Sequence, residues 1–427
     1  MSDLKNFETL QSLCKRRGYI FQSAEIYGGL NACWDYGPLG AQLKKNLAEL
    51  WWKTMVRRSD IVGLDSAILS HPEVLKSSGH VSAFTDPLVD CLDCKYRFRL
   101  EDKKKCPQCG SQNITEPRPF NLMFKTHAGS IEDQGAVVYL RPETAQGIYV
   151  QFLNVQTSMR KTLPFGVAQI GKAFRNEITP GPFTFRTREF EQMEMQYFIH
   201  SKESSKWYKY WKETRLQFYE GILKNIRYRE HAKDELAHYA SQAVDIEYHF
   251  PIGWKELEGI HDRGQYDVKM HQEGSRKNLA YSTSTGEKII PHVIETSVGL
   301  DRMWLALLCE SYREEDVKEG EKRVVLGLPK KLAPIQVAFL PLSKKEPLIA
   351  LAVKLRDQYM DQYFVDYDET GSIGKRYRRQ DEIGTPLCVT IDFESLEDQQ
   401  VTVRDRDKMT QDRVAVDQLT SYLNNKL

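Results

Sequence analysis

Residues 171–198, GKAFRNEITPGPFTFRTREFEQMEMQYF, combine opposite charges with the apolar texture of a β-hairpin. Side chains alternate across a strand, so the spacing predicts Arg175 and Glu177 on one face of the first strand. The residues TPGP (179–182) predict the turn, because proline lacks a backbone donor. On the return strand alternation predicts a charged face and an apolar face: Arg186, Arg188, Phe190, Gln192 and Glu194 against Phe183, Phe185, Met193 and Met195. The charged face is either solvated or lines a pocket for molecules carrying charges of both signs.

Two further segments favour the pocket. In RPETAQG (141–147), Glu143 lies between a proline and a turn. In IETSVGLDRMW (294–304), Glu295 and Ser297 share a strand face, and Arg302 falls in the first turn of a helix that begins at Gly299. Each segment by itself is more typical of an ordinary turn or capped helix. Together with the hairpin, they predict a site built from several strands.

In this order the segments resemble the motifs of class II aminoacyl-tRNA synthetases, and in particular the homodimeric, bacterial-like glycyl-tRNA synthetase family. FRNE followed by RTREFEQME resembles motif 2, GLDR before an apolar helix resembles motif 3, and residues 34–52 with 70–91 resemble the motif 1 region. RPETAQG and ELEGIHDRG (256–264) are also similar to segments of that family. The resemblance covers essentially the whole chain. It implies an α+β fold in which an antiparallel-sheet catalytic domain carries a zinc-ribbon-like and a helical insertion and precedes a C-terminal α/β anticodon-binding domain.

The resemblance implies a ligase that activates glycine with ATP to glycyl-adenylate and pyrophosphate, then transfers the glycyl group to the 3' end of tRNA(Gly). The catalytic residues it implies are Arg175, Glu177 and Arg302, and Arg175 would bridge the α-phosphate and the amino-acid carboxylate. A carboxylate is already a nucleophile, so such a site needs positioned charge more than a general base. The implied ATP-binding residues are Arg175, Asn176, Glu177, Phe185, Arg186, Thr187, Arg188, Glu189, Phe190, Glu256, Leu257, Gly299, Leu300, Asp301 and Arg302.

Within that set, the resemblance implies that Phe190 and Arg302 hold opposite faces of adenine, the arginine through a cation–π contact. Mg²⁺, which prefers carboxylate and phosphate oxygens, would accompany ATP near Glu256 and Glu295. The implied glycine-binding residues are Arg99, Glu143, Phe190, Glu191, Gln192, Met193, Glu194, Glu295, Thr296, Ser297, Val298 and Gly299. Several carboxylates around one small ammonium leave little room for a side chain. We therefore expect selection of glycine by steric exclusion, without an editing domain.

Four cysteines form two C-x-x-C pairs, Cys91/Cys94 and Cys106/Cys109, with eleven residues between the pairs. This spacing is typical of a zinc ribbon, in which four thiolates close a tetrahedral structural site. The alternative is four reduced cysteines without metal. The histidines at positions 71, 80, 127, 200 and 261 show no metal spacing, so we expect ordinary surface or packing roles for them.

Composition changes along the chain predict two domains. Residues 1–332 form the predicted catalytic domain, which includes a Cys-rich insertion at 85–120 and a helical insertion at about 200–245. Residues 333–427 alternate strand and helix patterns and form the predicted anticodon-binding domain. There, Lys375, Arg376, Arg378 and Arg379 could be a solvated charge run, but the resemblance of the domain favours binding to tRNA phosphates. In the helical insertion, Trp207, Tyr208, Tyr210 and Trp211 alternate with lysines, a pattern more typical of a packed helix than of a tRNA contact.

The bulk composition excludes a globally charged nucleic-acid or membrane-surface protein, because the formal net charge is +1 over 427 residues. No apolar run reaches membrane-spanning length, and scattered cysteines are typical of a reducing cytoplasm. A homodimer is implied by the motif 1 resemblance. Two alternatives stay open. The first is another class II synthetase, which is disfavoured by the acidic cage of Glu143, Glu194 and Glu295. The second is a non-catalytic synthetase-like nucleic-acid-binding or polymerase accessory protein. The second should have lost Arg175, Glu177, Phe190 and Arg302, all of which are present.

Overall fold

The computed structural model describes residues 3–100, 105–130, 136–236, 240–283, 285–318 and 321–427. Its helices are α1 Phe7–Arg16, α2 Pro38–Val56, α3 Pro72–Ser77, α4 His80–Ala83, α5 Ala145–Ser158, α6 Ser204–Tyr219, α7 Tyr266–Ser275, α8 Leu300–Ser311, α9 Glu346–Tyr359, α10 Ile373–Glu382, α11 Ser395–Asp398 and α12 Leu419–Lys426. In the described part of the chain, none of these helices has the length and apolar character needed to cross a membrane.

The strands of the first domain are β1 Ile20–Gln22, β2 Trp34–Tyr36, β3 Ile61–Gly63, β4 Leu69–Ser70, β5 Thr85–Asp90, β6 Arg97–Arg99, β7 Arg118–Asn121, β8 Lys125–His127, β9 Val137–Leu140, β10 Phe165–Phe174, β11 Glu189–Ile199, β12 Ile226–Glu230, β13 Gln242–Phe250, β14 Gly253–Gly264, β15 Tyr281–Ser282, β16 Lys288–Ile289, β17 His292–Gly299, β18 Tyr312–Lys318 and β19 Glu321–Leu326. The remaining strands are β20 Val337–Pro341, β21 Val365–Tyr367, β22 Leu387–Ile391, β23 Gln400–Asp405 and β24 Gln411–Ala415.

A seven-stranded sheet with the order β12-β13-β14-β17-β11-β10-β3 organises the first domain. Its neighbouring strands are antiparallel, except that β3 runs parallel to β10. Helix α2 begins directly after Gly37, with Pro38 in its first turn. It buries Leu43, Leu47 and Trp51, which recur at helical spacing. Helices α2, α6 and α8 cover one face of the sheet. Helices α5 and α7 cover part of the other face, which leaves the rest of that face for the predicted site.

The predicted helical insertion at about 200–245 is only partly helical. Helix α6 is followed by strand β12, which pairs with β13 at the edge of the sheet, and positions 237–239 lie outside the described residues. In β12 the alternating Ile226 and Tyr228 pack against the core, which a helix could not achieve with this pattern. The packing interpretation of the aromatic residues in α6 is confirmed, because Trp211 is fully buried while the Lys209 side chain is 77% exposed.

The C-terminal domain has a five-stranded sheet of order β21-β20-β22-β23-β24 and a separate apolar core built from residues between Val337 and Leu423. The predicted basic run is largely structural. Arg376 is buried and donates to the backbone oxygens of Pro341 and Gly371, while Arg379 pairs with Asp368 and Arg378 with Glu321. Local charge pattern could not reveal these tertiary partners. Of the four basic residues, Lys375 is the exposed one.

A buried ion pair holds α6 on the back of the large sheet. Arg215 Nε donates to Glu258 Oε1 at 2.6 Å, and the Tyr219 hydroxyl donates to Oε2 at 2.5 Å. We expect Arg215→Leu to lower the free energy of unfolding by about 3–5 kcal/mol, because it leaves Glu258 charged and uncompensated. Urea denaturation followed by circular dichroism measures this loss. Lys209→Leu on the exposed side of α6 is the control and should change stability by less than about 0.5 kcal/mol; equal effects would contradict the expectation.

Candidate active site

A cavity of about 330 Å³ opens on the face of the large sheet opposite α2, α6 and α8. It lies where the segment between β10 and β11 meets the end of β17 and the start of α8. Most of its lining residues belong to the predicted set: Arg99, Arg175, Glu177, Phe185, Arg186, Thr187, Phe190, Gln192, Glu256, Ser297, Gly299, Asp301 and Arg302. The fold therefore brings the motif 2 and motif 3 segments together.

The charged hairpin is shorter than predicted. Strand β10 ends at Phe174 and β11 begins at Glu189, so residues 175–188 form a loop. Two prolines and Phe183, whose φ is +50°, interrupt the pleat, and face alternation cannot be counted through it. The parity prediction is consequently wrong for Phe185, which lines the cavity. From Glu189 onward alternation holds: Phe190 and Gln192 reach the cavity, while Met193 is buried in the core on the other face.

Arg175 occupies a slot between two aromatic rings. Its guanidinium carbon lies 5.2 Å from the ring centre of Phe84 and 5.3 Å from that of Phe190. Its Nε donates to the backbone oxygen of Pro142 at 3.0 Å. The remaining guanidinium nitrogens can form the paired contacts that suit carboxylate and phosphate anions.

Arg302 extends from the first turn of α8 across the other side of the cavity. Its Nη1 lies 3.2 Å from Glu256 Oε2, and its guanidinium carbon lies 4.7 Å from the ring centre of Phe185. The Arg302 charge lowers the pKa of Glu256 below its usual range. The adenine-facing pair of Phe190 and Arg302 stays a prediction, and Phe185 is the aromatic partner of Arg302 in this structure.

Beside the cavity, strand register sets polar side chains in rows across the sheet. Glu194 on β11 lies directly opposite Ser297 on β17, and Ser297 lies opposite Gly259 on β14. In the next row, Glu295 lies between Gln196 and His261. Gly259 leaves room for the His261 ring, since a Cβ at that position would lie 2.7 Å from His261 Cε1. These rows place two of the three predicted cage carboxylates, Glu194 and Glu295, on the same sheet face as the cavity.

Each cage carboxylate is fixed by at least one neighbour. Arg263 Nη1 donates to Glu295 Oε2 at 2.5 Å, Gln196 Nε2 donates to Glu194 Oε1 at 2.7 Å, and Thr144 donates to the other oxygen of Glu194. Glu143, at the start of α5, accepts from Gln146 Nε2 at 2.8 Å and lies 3.5 Å from His80 Nε2.

The three carboxylates differ in electrostatic environment. Burial raises the pKa of Glu194 well above its usual range, and the charges of Glu295 and Glu143 raise it further. Burial alone would raise the pKa of Glu295, but the Arg263 guanidinium and the His261 ring together outweigh it and lower the pKa. The pKa of Glu143 is also lowered, because His80 and Arg263 outweigh the effect of burial. The surroundings therefore favour the charged form of Glu143 and Glu295 and disfavour that of Glu194.

Several residues in the predicted binding sets have side chains away from the cavity. Met193, Thr296, Val298, Leu257 and Leu300 are buried, and all but Thr296 belong to the main apolar core. Alternate strand residues face opposite sides, so a contiguous motif cannot deliver every side chain to one site. Asn176, Arg188 and Glu189 lie in or next to the 175–188 loop, outside the lining; Arg188 bonds backbone oxygens and Glu189 pairs with Lys172.

Asp301 and Glu191 form a structural node that was predicted as part of the binding sets. Lys44 Nζ from α2 lies 2.8 Å from Asp301 Oδ1 and 2.7 Å from Glu191 Oε2. Asp301 also accepts from the Tyr36 hydroxyl and from the Glu191 backbone N–H, the latter at 2.6 Å. Burial alone would raise the pKa of Asp301, but Lys44 lowers it. Their carboxylates thus fasten α2 and α8 to β11, although Asp301 borders the cavity.

Sequence reasoning missed several residues of the site. Phe84, Asp86, Leu122 and Thr184 line the cavity, and Arg263 lies beneath the cage. His80 and His261, expected to have ordinary packing roles, face Glu143 and Glu295. Phe84 and Asp86 fall within the segment resembling motif 1, and Arg263 falls within ELEGIHDRG. The sequence therefore identified the segments that contain these residues. Which of their side chains meet at the site depends on how the strands pair, and the sequence did not predict that pairing.

The four cysteines lie at one end of the small sheet β6-β5-β7. Their sulfur atoms all lie within 4.8 Å of one another, with 3.6 Å between Cys91 and Cys109 and 3.5 Å between Cys94 and Cys106. Four thiolates at about 2.3 Å from a tetrahedral zinc ion would lie roughly 3.8 Å apart. The cluster therefore fits zinc in both donor chemistry and spacing.

The fold and cavity define a class II aminoacyl-tRNA synthetase. The family described as "tRNA synthetase class II core domain (G, H, P, S and T)" matches residues 124–312, and that described as "Anticodon binding domain" matches residues 336–426. A crystal structure of prolyl-tRNA synthetase from Cryptosporidium parvum, complexed with L-proline and AMP, has a similar fold. It aligns with a TM-score of 0.69 at 15% identity and covers 100% of this chain and 79% of that one.

Curated relatives resolve the family further. The glycine–tRNA ligase of Borreliella burgdorferi strain ZS7 is 52% identical, over 98% of this chain and 97% of the relative. The glycine–tRNA ligase of Treponema denticola is 52% identical, over 100% of this chain and 98% of the relative. The glycine–tRNA ligase of Clostridium acetobutylicum is 50% identical, over 100% of this chain and 100% of the relative. The chain belongs to the glycine–tRNA ligase family.

The raised pKa of Glu194 predicts that the cage costs stability at neutral pH. The folded-state pKa of Glu194 lies above the ordinary value of 4.5, so the protonated carboxyl group stabilises the fold. This stabilisation is complete below pH 4.5 and is lost as the pH rises through the folded-state pKa. We expect Glu194→Gln to unfold at a higher temperature than wild type at pH 8, by an amount that shrinks towards pH 5. Glu213→Gln on the exposed side of α6 is the control and should follow wild type at every pH. A constant offset across the range would contradict the linkage.

Proposed function

We propose that this chain activates glycine with ATP and transfers the glycyl group to tRNA(Gly) using the cavity and the carboxylate cage as one site. The observation that carries the proposal is their juxtaposition. Arginines suited to anions line the cavity, and carboxylates suited to an ammonium group lie beside it on the same sheet face. This separation of sign matches the reactants, because ATP and the glycine carboxylate are negative and the glycine amino group is positive.

Arg175 is proposed to bind the α-phosphate and the glycine carboxylate together. The glycine carboxylate attacks the α-phosphorus, the bond to the pyrophosphate oxygen breaks, and negative charge moves onto the leaving pyrophosphate. Held between Phe84 and Phe190, the Arg175 guanidinium is already oriented before the reaction, which is the arrangement that stabilises developing charge most effectively. Arg186 and Arg302 would contact the phosphates and adenine, and Glu177 would accept from the adenine amino group.

The glycine ammonium is proposed to lie among Glu143, Glu194, Glu295 and Ser297. Arg263, Gln196 and Gln146 donate to these carboxylates and hold them in place, and the ammonium group would be a further donor to their oxygens. A larger amino acid would place a methyl group against buried charge and polar atoms. Since no smaller amino acid exists, steric exclusion is sufficient for selection.

Mg²⁺ would be held at the cavity by the Glu256 carboxylate together with phosphate oxygens, and it would neutralise phosphate charge. Glu256 fits this role because its side chain is half exposed at the cavity wall. Glu295 fits it less well, since Arg263 already occupies one of its oxygens.

The C-terminal domain is proposed to bind the anticodon arm of tRNA(Gly), consistent with its match to anticodon-binding domains. A homodimer, as the motif 1 resemblance implies, and a cytoplasmic location stay predictions. Size-exclusion chromatography with light scattering would test the dimer.

ATP–pyrophosphate exchange tests the amino-acid specificity. With each of the twenty amino acids supplied in turn, we expect glycine to drive exchange and alanine to drive it at least about 100-fold less efficiently. No exchange with glycine, or faster exchange with another amino acid, would overturn the proposed function.

Arg175→Ala should lower glycine-driven exchange by about 100-fold or more, because it removes charge that stabilises the transition state. Arg175→Lys should recover only part of the rate, since a point charge cannot make paired contacts. Arg227→Ala, at a half-exposed arginine on edge strand β12, is the matched control and should exchange at the wild-type rate. Near-normal exchange by Arg175→Ala would refute its assigned role.

We propose that Cys91, Cys94, Cys106 and Cys109 bind one structural zinc ion. Elemental analysis of purified protein should find about one zinc per chain, and Cys106→Ser should lose it. Cys33→Ser changes a cysteine outside the cluster and should retain the metal. Protein purified without chelator that contains no zinc would dispose of this assignment.

A further inference from the structure

We call residues 84–100 and 105–122, which include the sheet β6-β5-β7 and the four cysteines, the cysteine module. The end of this module that lies away from the cysteines forms part of the cavity wall. Phe84 and Asp86, at the start of β5, and Arg99 on β6 line the cavity. Cys91 directly follows β5, and the Cys94 knuckle leads into β6. The same two short strands therefore join the four cysteines to the cavity wall.

Three contacts connect this module to the 175–188 loop. The Phe84 ring faces the Arg175 guanidinium at 5.2 Å, the Asn176 backbone N–H donates to the Leu122 oxygen at 2.7 Å, and the Arg99 backbone N–H donates to the Thr179 hydroxyl at 3.2 Å. Leu122 in turn donates its own N–H to the Phe84 oxygen at 3.1 Å. A chain of backbone bonds thus runs from Phe84 through Leu122 to the residue after Arg175.

Without Phe84, Arg175 would have a ring on one side only. Arginine has several rotatable bonds, and fixing them costs conformational entropy at each reaction cycle unless the protein has fixed them already. Phe190 stays on rigid strand β11, so the second wall of the slot depends on the module. The module itself has a small core in which Cys91, Cys94 and Cys106 pack with Val89 and Phe98. A domain with so small a core usually depends on a metal or a cross-link for its stability.

We propose that the cysteine module is a clamp on the 175–188 loop, and that Phe84 is the positioning residue through which the clamp holds Arg175 against Phe190. This inference rests on the proposed role of Arg175. It assigns the module a part in amino-acid activation in addition to its own folding. Metal bound to the four cysteines would fix the strands that carry Phe84 and Arg99.

The kinetic test compares Phe84→Leu with Phe84→Tyr in glycine-driven exchange. Phe84→Leu keeps apolar volume but removes the ring, and we expect kcat to fall about tenfold or more while KM for ATP changes by less than about threefold, because misplacement by about 1 Å can cost ~100-fold. Phe84→Tyr retains the ring and should restore most of kcat. Tyr96→Leu, in the same module but outside the cavity lining, is the matched control and should match wild type.

Three kinetic outcomes would overturn the clamp: wild-type kcat in Phe84→Leu, equal loss in Phe84→Tyr, or equal loss in Tyr96→Leu. If Phe84→Leu fails to fold, Thr179→Val replaces it, since it removes only the hydroxyl that accepts from Arg99. Thr179→Val should then lower kcat with its zinc content unchanged, and unchanged kcat would count against the clamp.

Limited trypsin digestion gives a readout that does not depend on catalysis. Arg175, Arg186 and Arg188 are cleavage sites within the loop. Chelator-treated wild type and Phe84→Leu should both be cut there faster than zinc-loaded wild type, and unchanged cutting would overturn the clamp. Failure of glycine-driven exchange in wild type would instead refute the proposed function, which keeps the two hypotheses separable.

Discussion

Buried charge on one face of an antiparallel sheet is the constraint on which the rest of this structure depends. Removing an ion from water costs several kcal/mol unless partners compensate, yet the proposed site for the glycine ammonium group must keep its carboxylates available. The cage limits this cost by giving each of its carboxylates a nearby donor. For Glu295, Oε2 accepts from Arg263, which is itself held by Asp267 through two contacts of 2.8 Å. The network therefore orients the acid and offsets the cost of burying its charge.

Such an arrangement requires exact strand register. Glu194, Ser297 and Gly259 form one row because of the register in which β11, β17 and β14 pair. If one strand slipped by one residue, each of its side chains would turn to the opposite face of the sheet, which α2, α6 and α8 cover. Glycine appears where the network needs space. At Gly171 a Cβ would lie 2.1 Å from the Arg141 guanidinium, which donates to the backbone of Lys172 and Ser66. On that opposite face, the buried ion pair between Arg215 of α6 and Glu258 of β14 also favours this register of β14.

Sequence reasoning could predict the parts of the site that depend on local order. The succession of motifs identified the strands and helices that meet, and alternation from Glu189 onward separated Phe190 from Met193. It failed in the 175–188 loop, because a residue with positive φ resets which side each following residue faces. It also failed for Arg376, whose burial depends on a carbonyl group of a strand about thirty-five residues earlier. Residue spacing does not predict this contact between Arg376 and a distant carbonyl group. Nor does it predict that Phe84 contacts Arg175, which lies ninety-one positions later in the chain.

The position of the C-terminal domain relative to the cavity is also set by buried charge. Asp381 on α10 is fully buried between Arg323 of β19 and Arg404 of β23, with contacts of 2.9 and 2.8 Å. Strand β19 pairs with β18, which continues directly from α8, the helix that begins beside Arg302. The Tyr19 hydroxyl adds a second junction by donating to the Ile383 oxygen at 2.8 Å. A connecting segment alone would let the two cores reorient. Paired arginines around one buried acid restrict that motion, because any rotation that separates them leaves a charge unsolvated.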